Sequence, residues 1–390
     1  MLTLIVIVLS IVAVLAAESF WHRRSRNKIP IRVHVNGIRG KSSVVRLIAA
    51  GLREGGVRTW AKVTGTLPNL VDERGLDIPI ARGASPSIIE QRAVIAEAAA
   101  AGAEALIVEC MALEPAFQRA EESLLKPTIG VITNVRLDHE EVFGSSLLDI
   151  ALALSNTIPY RGVLITTSGE GAAVLREAAG RRRASLIVVD TDDLPDSLVE
   201  GFSYIEHKEN VAVALAVCQQ VGVGEEIALR GMRSCPGDPG ALRIHSLSSG
   251  GKSLHFINAM AANDPQSTLL LFQRTVVEGD LRGSLLVLVN TRKDRPLRSR
   301  QLGRLLIRLP ADRYFIMGDD SSAVVQEAIR AGASSQALEK LEVKLAQEVV
   351  SRLFSATEKD TGIVFAMGNT AGLGLEVAAQ FTGAATPQMA

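Results

Sequence analysis

The chain has 390 residues, with 42 Lys and Arg against 42 Asp and Glu, and 47% of its residues are hydrophobic. That length supports two or three domains and a sizeable core, and the charge balance argues against a nucleic acid backbone as the main partner. Three widely separated cysteines, Cys110, Cys218 and Cys235, lack metal-type spacing, which argues against a disulfide framework or structural zinc site and fits reduced thiols in the cytoplasm.

Leu2 to Ala17 is uncharged and almost wholly apolar. At about 1.5 Å per residue, a helix over Met1 to Phe20 is roughly 30 Å long and just spans a hydrocarbon core. Trp21 follows, then Arg23, Arg24, Arg26 and Lys28, so fixed positive charge flanks only the C-terminal end. This asymmetry places the following chain in the bacterial cytoplasm and the N-terminus outside. A secretory signal would carry its basic residues before the apolar core, so an uncleaved anchor in the cell membrane is expected over residues 1–28.

Ile31 to Val35 alternates as a strand, and a glycine-containing turn opens a helical pattern from Lys41 through Leu52. Further strand-like runs lie at Ala105 to Glu109, Ile129 to Thr133, Gly162 to Thr166 and Leu186 to Asp190, with helical segments such as Ile88 to Ala101 and Leu147 to Thr157 between several of them. Short β-branched runs alternating with longer helices predict an α/β fold whose mostly parallel sheet is covered on both faces. Cys235 to Gly240 contains two prolines and two glycines and marks a boundary. Beyond it, His255 to Asn258, Leu285 to Val289, Arg313 to Met317 and Gly362 to Ala366 predict a second, smaller α/β unit. The expected domains are therefore 29–240 and 241–390, after the anchor.

The sharpest chemical signal is Asn36-Gly37-Ile38-Arg39-Gly40-Lys41-Ser42-Ser43 between a strand and a helix, where helix N-terminal amides can cradle phosphates. Lys41 would meet the β and γ phosphates of ATP, and Ser42 would offer a hydroxyl to Mg²⁺. The generic P-loop would need Gly where Val35 stands, so only the shorter G-x-x-G-K-S form is present. Glu109 ends a strand where open parallel sheets place ligands, and would suit a metal ligand as well as an ordinary exposed carboxylate. Asp138 and His139 follow another strand and suit a metal ligand with its orienting partner, or equally a solvated turn.

Taken together, the strand, Gly37-x-x-Gly-Lys-Ser-Ser43, the strand ending in Glu109, Asn134-x-x-x-Asp138-His139 and the helix opened by Asn210 resemble the Mur ligase superfamily of ATP-dependent amide ligases. An apolar anchor running straight into the ATP loop is similar to the ligase subunits of poly-γ-glutamate synthases within it. Thr64-Gly-Thr66, Glu109-Cys-Met-Ala112, Asp238 to Arg243, Asn258 to Asp264 and Met367-Gly-Asn369 extend the likeness over nearly the whole chain. The resemblance implies a Mur-ligase-like central ATPase domain and a Rossmann-like C-terminal domain that closes over the cleft between them. It implies that residues 36–43 bind ATP, that Ser42 and Glu109 hold one Mg²⁺ and Glu109 with His139 a second, and that Asn210 lies near the adenine. Arg243 would meet the nucleotide as a catalytic cation beside Lys41, Glu109 and His139, and Asp264 would contact the ribose or help in closure. Arg292, Asp294 and Arg295 would recognise glutamate or nucleotide, or form only a solvated cluster. Thr64 and Thr66 would contact metal or substrate, or serve only as turn residues. Many Mur ligases carry a carbamoylated lysine before the strand at Gly162, whereas this chain has no lysine between Lys126 and Lys208.

The activity so implied phosphorylates the terminal carboxylate of a poly-γ-glutamate chain and joins it to glutamate, releasing ADP and phosphate. Integral membrane subunits of a synthase and export complex would be partners, and a homo-oligomer is compatible with the sequence. The alternatives are a membrane-associated P-loop ATPase that drives transport or assembly without forming a bond, a ligase for a peptidoglycan or folate-like acceptor, and a nucleotide-binding regulatory subunit without turnover.

Overall fold

In the computed structural model, which describes residues 1–65, 68–80, 87–138, 140–237, 244–260, 262 and 265–382, the apolar run forms helix α1 (Leu2–Asn27). It is the one helix among the described residues that is long and apolar enough to cross a membrane. It continues past Phe20 because Arg, Ser and His tolerate a helix, and it stops ahead of Pro30, which disfavours helical backbone in the residue before it. Its basic end is docked rather than free. His22 Nε2 lies 2.9 Å from the Leu124 carbonyl, and Arg26 donates to the same oxygen at 3.3 Å.

The chain divides into two compact units, Met1–Asp238 and Pro239–Ala390. After α1, the first contains β1 (Ile31–Asn36), α2 (Lys41–Glu54), β2 (Thr59–Val63), β3 (Asn69–Val71), β4 (Asp77–Pro79), α3 (Glu90–Ala100), β5 (Ala105–Glu109), α4 (Pro115–Leu125), β6 (Ile129–Ile132), α5 (Glu140–Phe143), α6 (Leu147–Leu154), β7 (Val163–Thr167), α7 (Ala172–Arg182), β8 (Ser185–Val189), α8 (Lys208–Val221) and α9 (Glu225–Ser234). Its sheet runs β4-β3-β2-β5-β1-β6-β7-β8, parallel from β2 to β8 and antiparallel at β3 and β4.

Alternation along the strands divides the core. Ala105 and Ile107 join Leu47, Ile48, Leu215 and Met232 beneath α2, α8 and α9, while Leu106 and Val108 join Ile95 and Ala98 beneath α3. Ile132 and Leu164 meet Ile150, Leu154 and Leu175 of α6 and α7 on the latter side. Consecutive parallel strands require such crossovers, and β1 leads to α2 on one face while its neighbour β5 leads to α4 on the other. The carboxyl ends of β1, β5 and β6 thus meet at the point where strand order reverses, which is where open α/β sheets bind ligands. Val35 stands opposite Glu109, and Asn36 opposite Ile132, so the three ends are level.

The second unit contains β9 (Ile244–Ser249), β10 (Lys252–Asn258), α10 (Pro265–Phe272), β11 (Ser284–Thr291), α11 (Pro296–Leu305), β12 (Arg313–Gly318), α12 (Ser321–Arg330), β13 (Leu338–Lys340), α13 (Ala346–Ala356), β14 (Thr361–Gly368) and α14 (Leu373–Thr382). Its sheet order is β13-β12-β11-β14-β10-β9, parallel except for edge strand β9. Phe256, Phe315, Val349, Leu353 and Phe381 fill one face, with the Phe256 and Phe381 rings stacked 4.3 Å apart. Here β11 and β14 are the neighbours at which strand order reverses.

Candidate active site

The turn between β1 and α2 is shaped by two glycines with left-handed backbone. Gly37 has φ +127°, and a Cβ there would fall 2.1 Å from Thr133 Oγ1 and 2.8 Å from the Thr133 backbone nitrogen. Gly40 has φ +77° and is the N-cap of α2, where a Cβ would fall 2.3 Å from Asn210 Oδ1. Only glycine combines this backbone with this closeness. Because Gly40 has no side chain with which to cap the helix, the first amides of α2 keep the donor capacity and positive dipole end that suit phosphate.

β6 pins the loop from the side. Arg39 N donates to Asn134 Oδ1 at 3.0 Å, and the Arg39 carbonyl accepts from Thr133 Oγ1 at 2.6 Å and Asn134 Nδ2 at 3.1 Å. The Arg39 guanidinium bonds Asp138 at 2.7 Å. Asn36 faces inward: its amide donates to Gln118 at 3.0 Å and Thr157 at 3.3 Å, and its oxygen accepts from Gly37 N at 2.8 Å. Ile38 packs into the α6–α7 core. Lys41 curls over the loop and donates from Nζ to the Gly37 carbonyl at 2.9 Å.

In the first turn of α2, Ser42 Oγ donates to Glu109 Oε2 at 2.9 Å, and the backbone N–H of Thr64 donates to the same oxygen at 2.6 Å. Glu109 is only 3% exposed. A hydroxyl and a carboxylate in contact are two hard oxygen ligands, the donor set that magnesium prefers, and the site fits that ion on this ground. Ser43 occupies the same first turn of α2. On the far side of the loop, Asn210 in the first turn of α8 donates from Nδ2 to buried Glu206 at 2.8 Å, which aims its oxygen at Gly40. A small cavity beside it is walled by Asn134, Thr167, Gly171, Thr191 and Glu209 at the ends of β6 to β8.

In the second unit, a cavity of about 620 Å³ opens over the ends of β11, β12 and β14 and is lined by Asn290, Arg292, Ser321, Lys340, Lys344 and Gly372, among others. Arg292 forms a two-pronged pair with Asp294 at 2.9 and 2.8 Å, so part of its charge is already answered. Arg295 is the N-cap of α11 and is half-buried. The structure thus brings together residues 36–43, Thr64, Glu109 and Asn210 in the first unit, and Arg292, Asp294 and Arg295 in the second. Thr66, His139, Arg243 and Asp264 lie outside the described residues. Sequence reasoning did not single out Thr133, Asn134 and Glu206 as loop-positioning residues. The signals for the first two were the place of Thr133 at the end of a predicted strand and that of Asn134 at the start of the Asn134-x-x-x-Asp138-His139 motif.

Residues 35–232 match the Mur ligase middle domain, and residues 244–384 match the poly-gamma-glutamate synthase CapB C-terminal domain. The chain is 36% identical over 362 residues to capsule biosynthesis protein CapB of Bacillus anthracis, covering 91% of this chain and 77% of that protein. The chain belongs to the CapB family of Mur-type ligases. PGA synthase CapB of Bacillus subtilis (strain 168) is 34% identical over 374 residues and is covered to 95%, as is this chain. Among solved structures, E. coli FolC in complex with DHPP and ADP superposes with a TM-score of 0.69 at 16% identity, covering 93% of this chain and 91% of that one. MurF from Acinetobacter baumannii superposes with a TM-score of 0.63 at 16% identity over 93% and 78% of the two chains. The Mur-ligase-like fold, with mostly parallel sheets in both units, is therefore the one expected from the CapB-like motifs.

Proposed function

We propose that this protein extends poly-γ-glutamate at the cytoplasmic face of the membrane, using ATP to activate the terminal carboxylate of the chain and glutamate as the attacking amine. As a member of this family the protein is an ATP-dependent amide ligase of poly-glutamate synthesis. The observation that best supports the finer reading is the uncapped, glycine-shaped start of α2, whose first turn carries Ser42 in contact with Glu109.

A carboxylate does not condense with an amine at neutral pH. In the first step a carboxylate oxygen of the chain attacks the γ-phosphorus of ATP, a P–O bond forms, and the bond to ADP breaks. In the second the glutamate nitrogen attacks the acyl carbon, the C–N bond forms, the C–O bond to phosphate breaks, and the amine loses a proton. Both steps depend on alignment and charge neutralisation rather than on a nucleophilic side chain. Bound Mg²⁺ would supply charge neutralisation at the transferred phosphoryl group. Gly37 to Gly40 shape the cradle, the α2 amides bind phosphate oxygens, and Lys41 exchanges its Gly37 carbonyl for a phosphate. Glu109 and Ser42 would hold the metal, the Thr64 N–H orients Glu109, and Asn210 would border the base. Arg292, with Lys340 and Lys344 beside it, supplies cations for the carboxylates of free glutamate. His139, Arg243, Asp264 and Thr66 are assigned here from the family motif alone, as second metal ligand, nucleotide contacts and substrate contact. Helix α1 anchors the enzyme, so that polymer is made beside integral membrane subunits that export it.

The test is ADP release by membranes carrying the protein, with Mg-ATP, with and without glutamate, and with Lys41→Ala as control. Glutamate-dependent release with an acidic polymer, both lost in the control, supports the reading. Release indifferent to every amino acid overturns it in favour of an ATPase that forms no bond.

A further inference from the structure

Positive charge is not spread evenly over this neutral chain. Between Arg292 and Arg313 there are eight Lys and Arg but only two acidic residues, Asp294 and Asp312. Much of this charge falls on α11 and the turn after it. On α11 Leu297, Arg300 and Arg304 share one face, because they are spaced by three, four and seven residues, and Ile307 and Arg308 follow, exposed, in the 3-10 turn that ends the element. That face is solvent-exposed, whereas Ser299, Leu302, Leu305 and Leu306 turn into the core.

Among the described residues Arg292 pairs with Asp294 and Arg313 with Glu339, both at 2.8 Å. Arg304 bonds Glu327 at 3.0 Å, but Glu327 also serves Arg330 at 2.7 Å. Among the described residues, Lys293, Arg300 and Arg308 have no carboxylate within ion-pair distance. The stripe also has a direction. It begins at the rim of the cavity lined by Arg292, at the carboxyl end of β11, and α11 carries it away from that rim.

We infer that this face of α11 is a docking track for the distal residues of the γ-glutamyl polymer, an inference that rests on the proposed polymer substrate. The chemistry matches in two respects. A γ-linked glutamate chain carries one free carboxylate per repeat of at most about 6 Å, estimated from ordinary bond lengths, and Arg300 and Arg304 are about 6 Å apart along the axis of α11, with Arg308 exposed in the 3-10 turn that follows. Between its carboxylates such a chain is methylene, and Leu297 and Ile307 are 58% and 51% exposed beside the arginines. Exposed pairs are individually weak, so retention comes from several pairs at once and falls with salt. A track of this kind would keep a long chain on the enzyme between additions without engaging its reacting end.

The test uses the full chain in zwitterionic lipid nanodiscs and a fluorescein-labelled γ-glutamyl oligomer long enough to span the stripe, read by anisotropy. Reversing two cations with Arg300→Glu and Arg308→Glu together is expected to weaken binding by roughly tenfold. The Arg300→Gln, Arg308→Gln pair should weaken it less, and salt should erase the difference. Equal binding by parent and the Glu variant overturns the track. So does an unchanged affinity for the oligomer accompanied by lost pelleting with phosphatidylglycerol vesicles, which would give this face to the membrane surface. Glutamate-dependent ADP release with a short γ-glutamyl acceptor is measured on the same samples and should be unaltered in the variants. Its absence from the parent would overturn the ligase reading, whereas the binding result bears on the track alone.

Discussion

Replacing Gly40 by alanine tests whether the loop is built as described. Alanine at φ +77° costs about 1–2 kcal/mol of left-handed backbone strain. Its Cβ would also fall 2.3 Å from Asn210 Oδ1, so the buried amide must move and strain or break its 2.8 Å bond to Glu206. An orphaned buried polar group costs about 1–3 kcal/mol. The expected destabilisation of the first unit is therefore about 2–5 kcal/mol, with ATP binding weakened as well. Trp60 is buried in that unit, so in a Trp21→Phe background its fluorescence during urea unfolding reports the first unit by itself. Adding Asn210→Ala should relieve the steric part but not the backbone part, giving a coupling of about 1 kcal/mol or more in a double-mutant cycle. A Gly40→Ala protein that unfolds at the parental urea concentration and binds ATP normally, or strictly additive effects in the cycle, would refute the account of this turn.

Glu109→Gln removes the charge that Ser42 and the Thr64 amide address, and should lower ligation by on the order of a hundredfold or more with a raised magnesium requirement, read as ADP release against magnesium concentration. His34 is fully buried, and burial holds its imidazole below its ordinary value despite nearby Glu121 and Glu122. A depressed histidine leaves more protons on the unfolded chain, so stability is full above about pH 6.5 and falls as the pH drops below it. His34→Gln should flatten that acid limb in unfolding titrations between pH 7 and 5, and an unchanged slope would exclude His34 as a contributor. Burial raises the Cys218 thiol to about 12 and Cys235 to about 11, and raises Cys110 well above its usual value, assisted by Glu121. All three should resist Ellman's reagent at pH 8 until the protein is unfolded, and rapid labelling of the native protein would contradict their placement.

Several site features were legible in the chain because they are local. A strand followed within a few residues by two glycines, a lysine and a serine marks a helix start whose amides can bind an anion, and the structure puts Gly37 and Gly40 where no side chain fits. Glu109 was legible as the polar end of an apolar strand. Other roles were hidden because they depend on what arrives from elsewhere. Asn36, read as a nucleotide contact, spends its side-chain hydrogen bonds on Gln118, Thr157 and Gly37. Thr64 contributes through its backbone amide, which no side-chain pattern reveals. Strand β2 escaped a pattern reading because Lys62 interrupts its apolar run, yet that lysine is fully buried and paired with Glu90 at 2.5 Å. Strands β3, β4 and β13 have three residues each, too few to show a period.

By itself the sequence determined the apolar first helix, the alternation of strands and helices, and the glycine-shaped turn that opens α2. Each is set by residue preferences acting over a few positions along the chain. Only the tertiary structure decided that Glu109 meets Ser42 from 67 residues away, that Asn210 sits against Gly40, and that Thr133 and Asn134 hold the loop. Those contacts follow from strand order, since β5 and β6 flank β1 only after their crossovers have packed helices on opposite faces of the sheet. Strand order is fixed by burial summed over the whole unit, a quantity that no short window of sequence contains.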